Sequence, residues 1–268
     1  MSSVTVRAPR AAARAALAGA AGALSLWLMA VLSAQPAPRA VAYEGARLIV
    51  GDGSAPIESG VLVVQDGRFT AVGAAGSVMV PKGAARVSLK GRTVMPSLVN
   101  AHVHIGYEGY TSWGASNYTA SNVLDHLRRQ AYYGVAATQS VGSSPTDASL
   151  QFVRDQQAGK FPAASRFFFM PGMAPPGGGP DAILIKGTKA LNAVYEVSTG
   201  AEARAAVQGM AAKGIRHVKI WVDDRRGTYP KMTPEVYNAV IDEAHRHGML
   251  VHAHAIQMAD QKAVIRAG

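Results

Sequence analysis

The stretch that decides the fold is residues 94–104, which read Val-Met-Pro-Ser-Leu-Val-Asn-Ala-His-Val-His. Before it, short apolar segments are separated by glycine turns such as Asp66-Gly67, a pattern typical of β-hairpins. After it, strand-like segments alternate with helical ones, which predicts a parallel sheet. We therefore expect a small β-sandwich over residues 43–94 and an α/β region over residues 95–268.

The α/β region contains five predicted strands, each followed by a helix or a helical stretch. They occupy residues 98–105, 135–141, 166–170, 215–222 and 249–254. Strand–helix repeats of this kind build (β/α)8 barrels, which need eight strands. We expect an incomplete TIM-type barrel here, because Gly268 comes where a sixth strand should begin. A chain cut at this point would keep two unpaired edges and be poorly soluble and poorly active without its extension.

Composition limits the classes of function. The chain of 268 residues is 49% hydrophobic, carries a net charge of +10 and contains no cysteine. Disulfides and thiolate metal sites are therefore excluded. Part of the positive charge lies in the first forty residues, and the rest is scattered rather than interleaved with aromatic side chains. Nucleic-acid binding is not expected from such a distribution.

Residues 1–42 have the pattern of an export signal and linker. A basic segment up to Arg14 precedes an apolar run over residues 15–34, and Ala40-Val41-Ala42 offers a cleavage site before Tyr43. An uncleaved membrane anchor is the alternative, because the run is long enough to span a bilayer. In either case we expect a periplasmic or secreted protein, with no membrane contact once the signal is cleaved.

Two strand ends carry the first candidate residues. His102 and His104 share one face of their strand, because side chains two positions apart point the same way. Paired neutral imidazoles are good ligands for zinc, although a bare His-x-His can also be a structural pair. Lys219 lies between Val218 and Ile220, where burial would lower its pKa. The alternative is a lysine whose ammonium group reaches solvent at the strand end.

The fifth predicted strand and two loops complete the candidates. His252 and His254 share a face, and the terminal one is expected to reach the carboxyl end of the strand. Asp223 and Asp224 follow the Lys219 strand and are predicted to be solvated loop carboxylates. Residues 175–180 are rich in proline and glycine, which predicts a mobile loop at the same end of the strands.

These segments resemble the amidohydrolase superfamily, in particular its prolidase-like and imidazolonepropionase-like branch. The family pattern is a small β-sandwich, then Gly-Arg/Lys-x-Val-x-Pro-Gly-Leu-Ile-Asp-x-His-x-His, then a (β/α)8 barrel. Residues 91–104 follow that motif closely, and residues 66–73 are similar to the hairpin that precedes it. Ser97 and Asn100 stand where the family usually has Gly and Asp, and neither is a ligand position.

The resemblance implies a hydrolase that acts on carbon–nitrogen bonds of small peptide-like or cyclic amides. It implies one or two divalent metal ions, with zinc expected. The metal ligands it assigns are His102, His104 and His254, with His252 as the alternative on the fifth strand. Lys219 corresponds to a lysine that many members carboxylate to bridge two metals. The family's sixth-strand His and eighth-strand catalytic Asp have no counterpart in residues 1–268, so the catalytic base is not assigned.

Other functions remain open from the sequence. An esterase, a lactonase or a deaminase can use the same fold, and an inactive remnant or a non-catalytic metal-binding protein is the alternative outside enzymes. A small-molecule substrate is expected in each enzymatic case. A homo-oligomer is compatible with every one of these readings.

Overall fold

A computed structural model describes residues 40–180 and 182–268, with backbone alone at 182–185. The predicted basic and apolar parts of the leader lie outside the described residues. Val41 and Ala42, within the expected cleavage site, belong to the first strand. Among the described helices, none combines the length and the apolar character that crossing a bilayer requires. The chain divides into two compact units between Pro96 and Ser97.

The first unit is one five-stranded sheet of mixed direction, in the order β3-β2-β1-β4, with β5 also paired to β1. Strand β1 is antiparallel to β2 and parallel to β4 and β5. The two packed sheets of a β-sandwich are not found in the described part of this unit. The strands are β1 (Val41–Leu48), β2 (Ile57–Gln65), β3 (Arg68–Ala74), β4 (Ala85–Ser88) and β5 (Thr93–Val94).

An irregularity at Gly45 lets β1 supply both faces of this sheet. Gly45 has φ +83°, and the pairing with β2 shifts between Glu44 and Ala46. Ala42 therefore packs on one face with Val63, whereas Ala46 packs on the opposite face. An extra residue in a strand reverses the alternation of its side chains. Each face of the single sheet consequently carries a small apolar cluster.

The second unit is α/β, as predicted, and all its paired strands are parallel. Its strands are β6 (Leu98–Val103), β7 (Val135–Val141), β8 (Arg166–Met170), β9 (Gly172–Ala174), β10 (Val194–Glu196), β11 (His217–Trp221) and β12 (Leu250–His254). Its helices are α1 (Ala120–Tyr132), α2 (Thr146–Gln157), α3 (Ala182–Ala190), α4 (Gly200–Ala212), α5 (Pro234–Arg246) and α6 (Met258–Ala267), with a 3-10 turn at Ala115–Asn117.

The third predicted strand is found as β8, and a proline separates it from a further short strand, β9. Pro171 separates β8, which pairs with β7, from β9, which pairs with β10 and β11. Proline has no N–H to donate, but its carbonyl accepts the Lys219 N–H at 2.8 Å. The result is two open sheets, β6-β7-β8 and β10-β9-β11-β12. The predicted parallel α/β class is therefore confirmed, but a closed TIM barrel is not observed.

The helices cover one face of β11 and thereby fix which side chains point the other way. Val218 and Ile220 are fully buried in a cluster with Val207 of α4 and Val240 of α5. Because side chains alternate along a strand, His217, Lys219 and Trp221 share the opposite face. This second face, formed by His217, Lys219 and Trp221 and called the inner face below, carries Lys219, one of the candidate residues.

Candidate functional site

The register of β11 and β12 sets the candidate residues side by side. Lys219 stands opposite His252, and Trp221 stands opposite His254. Residues paired across adjacent parallel strands project from the same side of the sheet. His252 and His254 therefore lie on the face of Lys219, away from α4 and α5.

The Lys219 side chain is buried, with 5% of the residue exposed. Its Nζ lies 5.9 Å from the centroid of the Trp221 ring. The backbone of Gly142 passes so close that a Cβ there would lie 2.7 Å from Lys219 Cγ. The structure thus decides between the two interpretations of this lysine in favour of burial. A buried amine requires a polar or charged partner to offset its desolvation.

His252 lies close to several other basic side chains. Its Nε2 lies 3.1 Å from Nδ1 of His217, and the ring centroids are 5.3 Å apart. Burial lowers the pKa of His252, and the nearby charges of His217, Lys219 and His102 lower it further. His102 belongs to β6, an edge strand of the other sheet of this unit. A neutral imidazole is the form that binds metals.

His102 and His104 form an adjacent pair at the end of β6. Their ring centroids are 5.4 Å apart, and the ring planes cross at 79°. Nδ1 of His104 lies 2.8 Å from the hydroxyl oxygen of Ser143, a buried residue just after β7. Ser143 was not predicted from the sequence, because a serine after a strand carries no distinctive pattern. Its hydroxyl orients the His104 ring through the nitrogen that it engages.

His254 pairs with a carboxylate that the sequence analysis placed in solvent. Nε2 of His254 lies 3.0 Å from Oδ2 of Asp223. Asp223 is 5% exposed, so the prediction of a solvated loop carboxylate is wrong for it. The reason is local: the backbone N–H of Arg225 donates to Asp223 Oδ1 at 3.0 Å and replaces water. Asp224 is partly exposed, with Lys231 3.8 Å away.

The pKa of Asp223 shows that these contacts outweigh its burial. Burial raises this pKa, but the Arg225 backbone hydrogen bond, the hydrogen bond with His254 and the charges of His254 and Arg225 bring it below its ordinary value. Asp223 is therefore a carboxylate in the folded protein. A carboxylate bonded to one ring nitrogen is the usual means of orienting a metal-binding imidazole.

The predicted ligands suit a divalent metal in their chemistry but do not form a complete ligand set. Imidazole nitrogens and carboxylates are the ligands that zinc accepts when no thiolate is present. His102 and His104 are adjacent, and Lys219 adjoins His252, whereas His254 is held by Asp223. Across residues 40–180 and 182–268, no three His, Asp or Glu side chains are grouped closely enough to hold a metal ion.

Comparison with known proteins gives matches among solved structures. No protein-family model and no curated protein matches the chain significantly. A Xaa-Pro dipeptidase with bound methionine matches with a TM-score of 0.70 and 22% identity, over 85% of this chain and 60% of that one. A putative prolidase from Bifidobacterium longum matches with a TM-score of 0.66 and 24% identity, over 87% of this chain and 53% of that one. An ochratoxinase from A. niger matches with a TM-score of 0.68 and 17% identity, over 87% of this chain and 59% of that one.

The chain spans between 53% and 60% of the length of these three structures. At such identities the likeness concerns the fold. A further structure described as an amidohydrolase matches at a TM-score of 0.68. The resemblance predicted from residues 91–104 is thus confirmed at the level of architecture: the chain has the fold of solved prolidases and amidohydrolases.

Proposed function

We propose that this chain contributes the first half of the active site of a metal-dependent hydrolase that cleaves carbon–nitrogen bonds. The observation that carries the proposal is the buried Lys219, which shares one face of the sheet with His252 and His254. Enzymes with parallel strand–helix folds place their active sites at the carboxyl ends of the strands, where His104 and His254 lie.

The fold matches support the class of reaction. Besides the dipeptidase and the ochratoxinase, they include a structure described as molinate hydrolase, at 20% identity and a TM-score of 0.67. A prolidase match is complexed with N-methylphosphonate-L-proline. For this chain we propose a small peptide-like or cyclic amide as substrate. We also propose export from the cytoplasm, on the strength of the basic and apolar leader sequence.

The residues proposed to hold the metal are His102, His104, His254 and Lys219. When bound, one or two zinc ions would lower the pKa of water and polarise the scissile carbonyl. Carboxylation of the neutral Lys219 amine by carbon dioxide, with release of one proton, would convert it into an anionic carbamate with two oxygen donors. Ser143 and Asp223 would orient His104 and His254.

The test is zinc-dependent hydrolysis. The 268-residue chain and a form extended by its own downstream coding sequence are stripped with a chelator, reloaded with zinc and assayed on Xaa-Pro dipeptides, N-acyl amino acids and lactams. We expect hydrolysis in the extended form. His104→Asn should reduce it by more than the ~10-fold to 100-fold typical of outer-shell partners. His245→Asn, on an exposed position of α5, is the matched control and should leave it unchanged.

Three results would contradict the proposal. Hydrolysis that survives the chelator would remove the metal from the mechanism. A preference for esters or lactones over the amides would identify a different hydrolase. Zinc binding without hydrolysis in either form would indicate a non-catalytic metal-binding protein.

A further inference from the structure

We propose that Asp223 and Arg225 are positioning residues that fix the His254 ring and join it to the loop at residues 175–180. The link itself is a set of contacts within the second unit. Its role in catalysis rests on the proposed function, because only a metal-binding His254 would pass the effect on to the reaction.

Asp223 fixes the ring because both of its oxygens are engaged. Oδ2 lies 3.0 Å from Nε2 of His254, and Oδ1 accepts the Arg225 N–H at 3.0 Å. A buried carboxylate held at both oxygens cannot turn without losing a hydrogen bond. A carboxylate accepts only, so in a neutral His254 ring the proton sits on Nε2. Nδ1 is then the ring nitrogen with a lone pair.

Arg225 reaches the loop with its guanidinium group. Nη1 donates to the carbonyl of Gly179 at 3.3 Å and to that of Pro180 at 2.9 Å. Nε lies 3.5 Å from Oδ2 of Asp223. One side chain thus contacts both the carboxylate that holds His254 and the backbone of the loop that follows β9.

The backbone of Arg225 is held in a conformation that only its surroundings can maintain. Its φ is +49°, in the left-handed region that side-chain-bearing residues rarely occupy. Arg225 in this conformation donates its N–H to Asp223 while its side chain extends to the loop. Such strained residues concentrate at functional sites.

The loop also packs directly on the segment after Arg225. A Cβ at Gly178 would lie 2.9 Å from the carbonyl oxygen of Pro230. Both segments follow the carboxyl ends of their strands, β9 and β11, where loops select substrates in folds of this type. A substrate that shifts residues 175–180 would therefore shift the support of His254. The loop would thus affect both the choice of substrate and the position of His254 as a metal ligand.

Two measurements on the metal-free 268-residue protein test the link. Nitrogen-15 NMR of the histidine rings reports the His254 tautomer, with His254→Gln used for assignment. Hydrogen exchange reports the order of residues 177–179. Asp223→Asn is compared with Asp224→Asn, and Arg225→Gln with Arg226→Gln, since each control alters the neighbouring and more exposed residue.

We expect His254 to be mainly the Nε2–H tautomer in the wild type and a mixture in Asp223→Asn. Exchange at residues 177–179 should rise several-fold in Asp223→Asn and in Arg225→Gln, and it should stay at the wild-type rate in both controls. An unchanged tautomer in Asp223→Asn would overturn the fixing of the ring. Unchanged exchange in Arg225→Gln, which keeps Asp223 in place, would overturn the coupling to the loop.

Zinc affinity, measured by competition with a chelator, separates this inference from the proposed function. If the extended form binds no zinc, the proposed function fails, and the metal-free measurements on the 268-residue protein still decide the link. If it binds zinc, Asp223→Asn should weaken binding by about 10-fold to 100-fold. Equal affinity in that variant would show that Asp223 does not position a metal ligand.

Discussion

His252 on β12 stands directly opposite Lys219 on β11, and the charge of Lys219 contributes, after burial, to the lowered pKa of His252. Two bases in register on a buried face are unfavourable when both are protonated. The lowered pKa of His252 favours its neutral imidazole, which is the form that binds metals.

Replacing Lys219 by Met should separate its chemistry from its packing. The side chain is buried against Trp221 and Gly142, and Met fills a similar volume. We expect the variant to remain folded, because Met keeps the packing against these two residues. We also expect at least a tenfold loss of zinc affinity and loss of any carbamate signal in carbon-13 NMR with labelled bicarbonate.

The matched control is Lys213→Met, on an exposed lysine that pairs with Asp147. It should change neither zinc affinity nor the carbon-13 spectrum. Equal zinc binding in the Lys219 and Lys213 variants would contradict the role given to Lys219.

Gly142 should tolerate no side chain. Its φ is +76°, and a Cβ would lie 2.5 Å from Cη2 of Trp221 and 2.7 Å from Cγ of Lys219. Gly134 has φ +82° but open space around a Cβ. Both alanine variants carry the backbone cost of left-handed φ, about 1 kcal/mol. Gly142→Ala should lose a further ~1–3 kcal/mol from overpacking. Urea unfolding measures the difference, and equal stabilities would show that the inner face is loosely packed.

Glu243 on α5 should make the stability of the second unit depend on pH. The hydrogen bond from Gln208 is the largest cause that lowers its pKa from the ordinary 4.5, followed by those from Arg204 and His247, and the charge of Arg246 adds to them. A lowered pKa stabilises the folded state above the unfolded value, and that contribution is lost as the pH falls through the folded value. Glu243→Gln should therefore be less stable than the wild type at pH 7.

The difference between Glu243→Gln and the wild type should shrink below about pH 4.5, measured by thermal unfolding across the range. Glu58→Gln, which removes an exposed carboxylate, is the control and should show no such trend. A stability difference between the two proteins that stays constant from pH 7 to pH 3 would mean that Glu243 stabilises the fold through packing rather than through its charge.

The sequence predicted the elements whose periodicity is clear. Strand β8 was expected at residues 166–170 and is found there. The strands that were missed, β9 and β10, have three residues each, and helix α3 (Ala182–Ala190) was missed as well. Three residues carry no measurable alternation, and Pro171 before β9 reads as the end of a strand.

The adjacency of His102 and His104 was predictable, because side chains two positions apart in a strand share a face. The surroundings of residues of the same type that are neighbours in the sequence were not predictable. Asp223 and Asp224 are consecutive carboxylates, yet only Asp223 accepts an N–H from Arg225 and meets His254. That distinction depends on contacts in the folded chain, which no local sequence pattern predicts.

The position of bound zinc tests the central claim most directly. Crystals grown with zinc and measured at its absorption edge would give anomalous peaks at each metal. We predict a peak whose protein ligands include His102 and His104, together with either Lys219 or His254. Asp223 should remain hydrogen-bonded to Nε2 of His254. A peak held only by surface residues, or no peak in protein shown to be folded, would contradict the assignment of these strand ends to a metal centre.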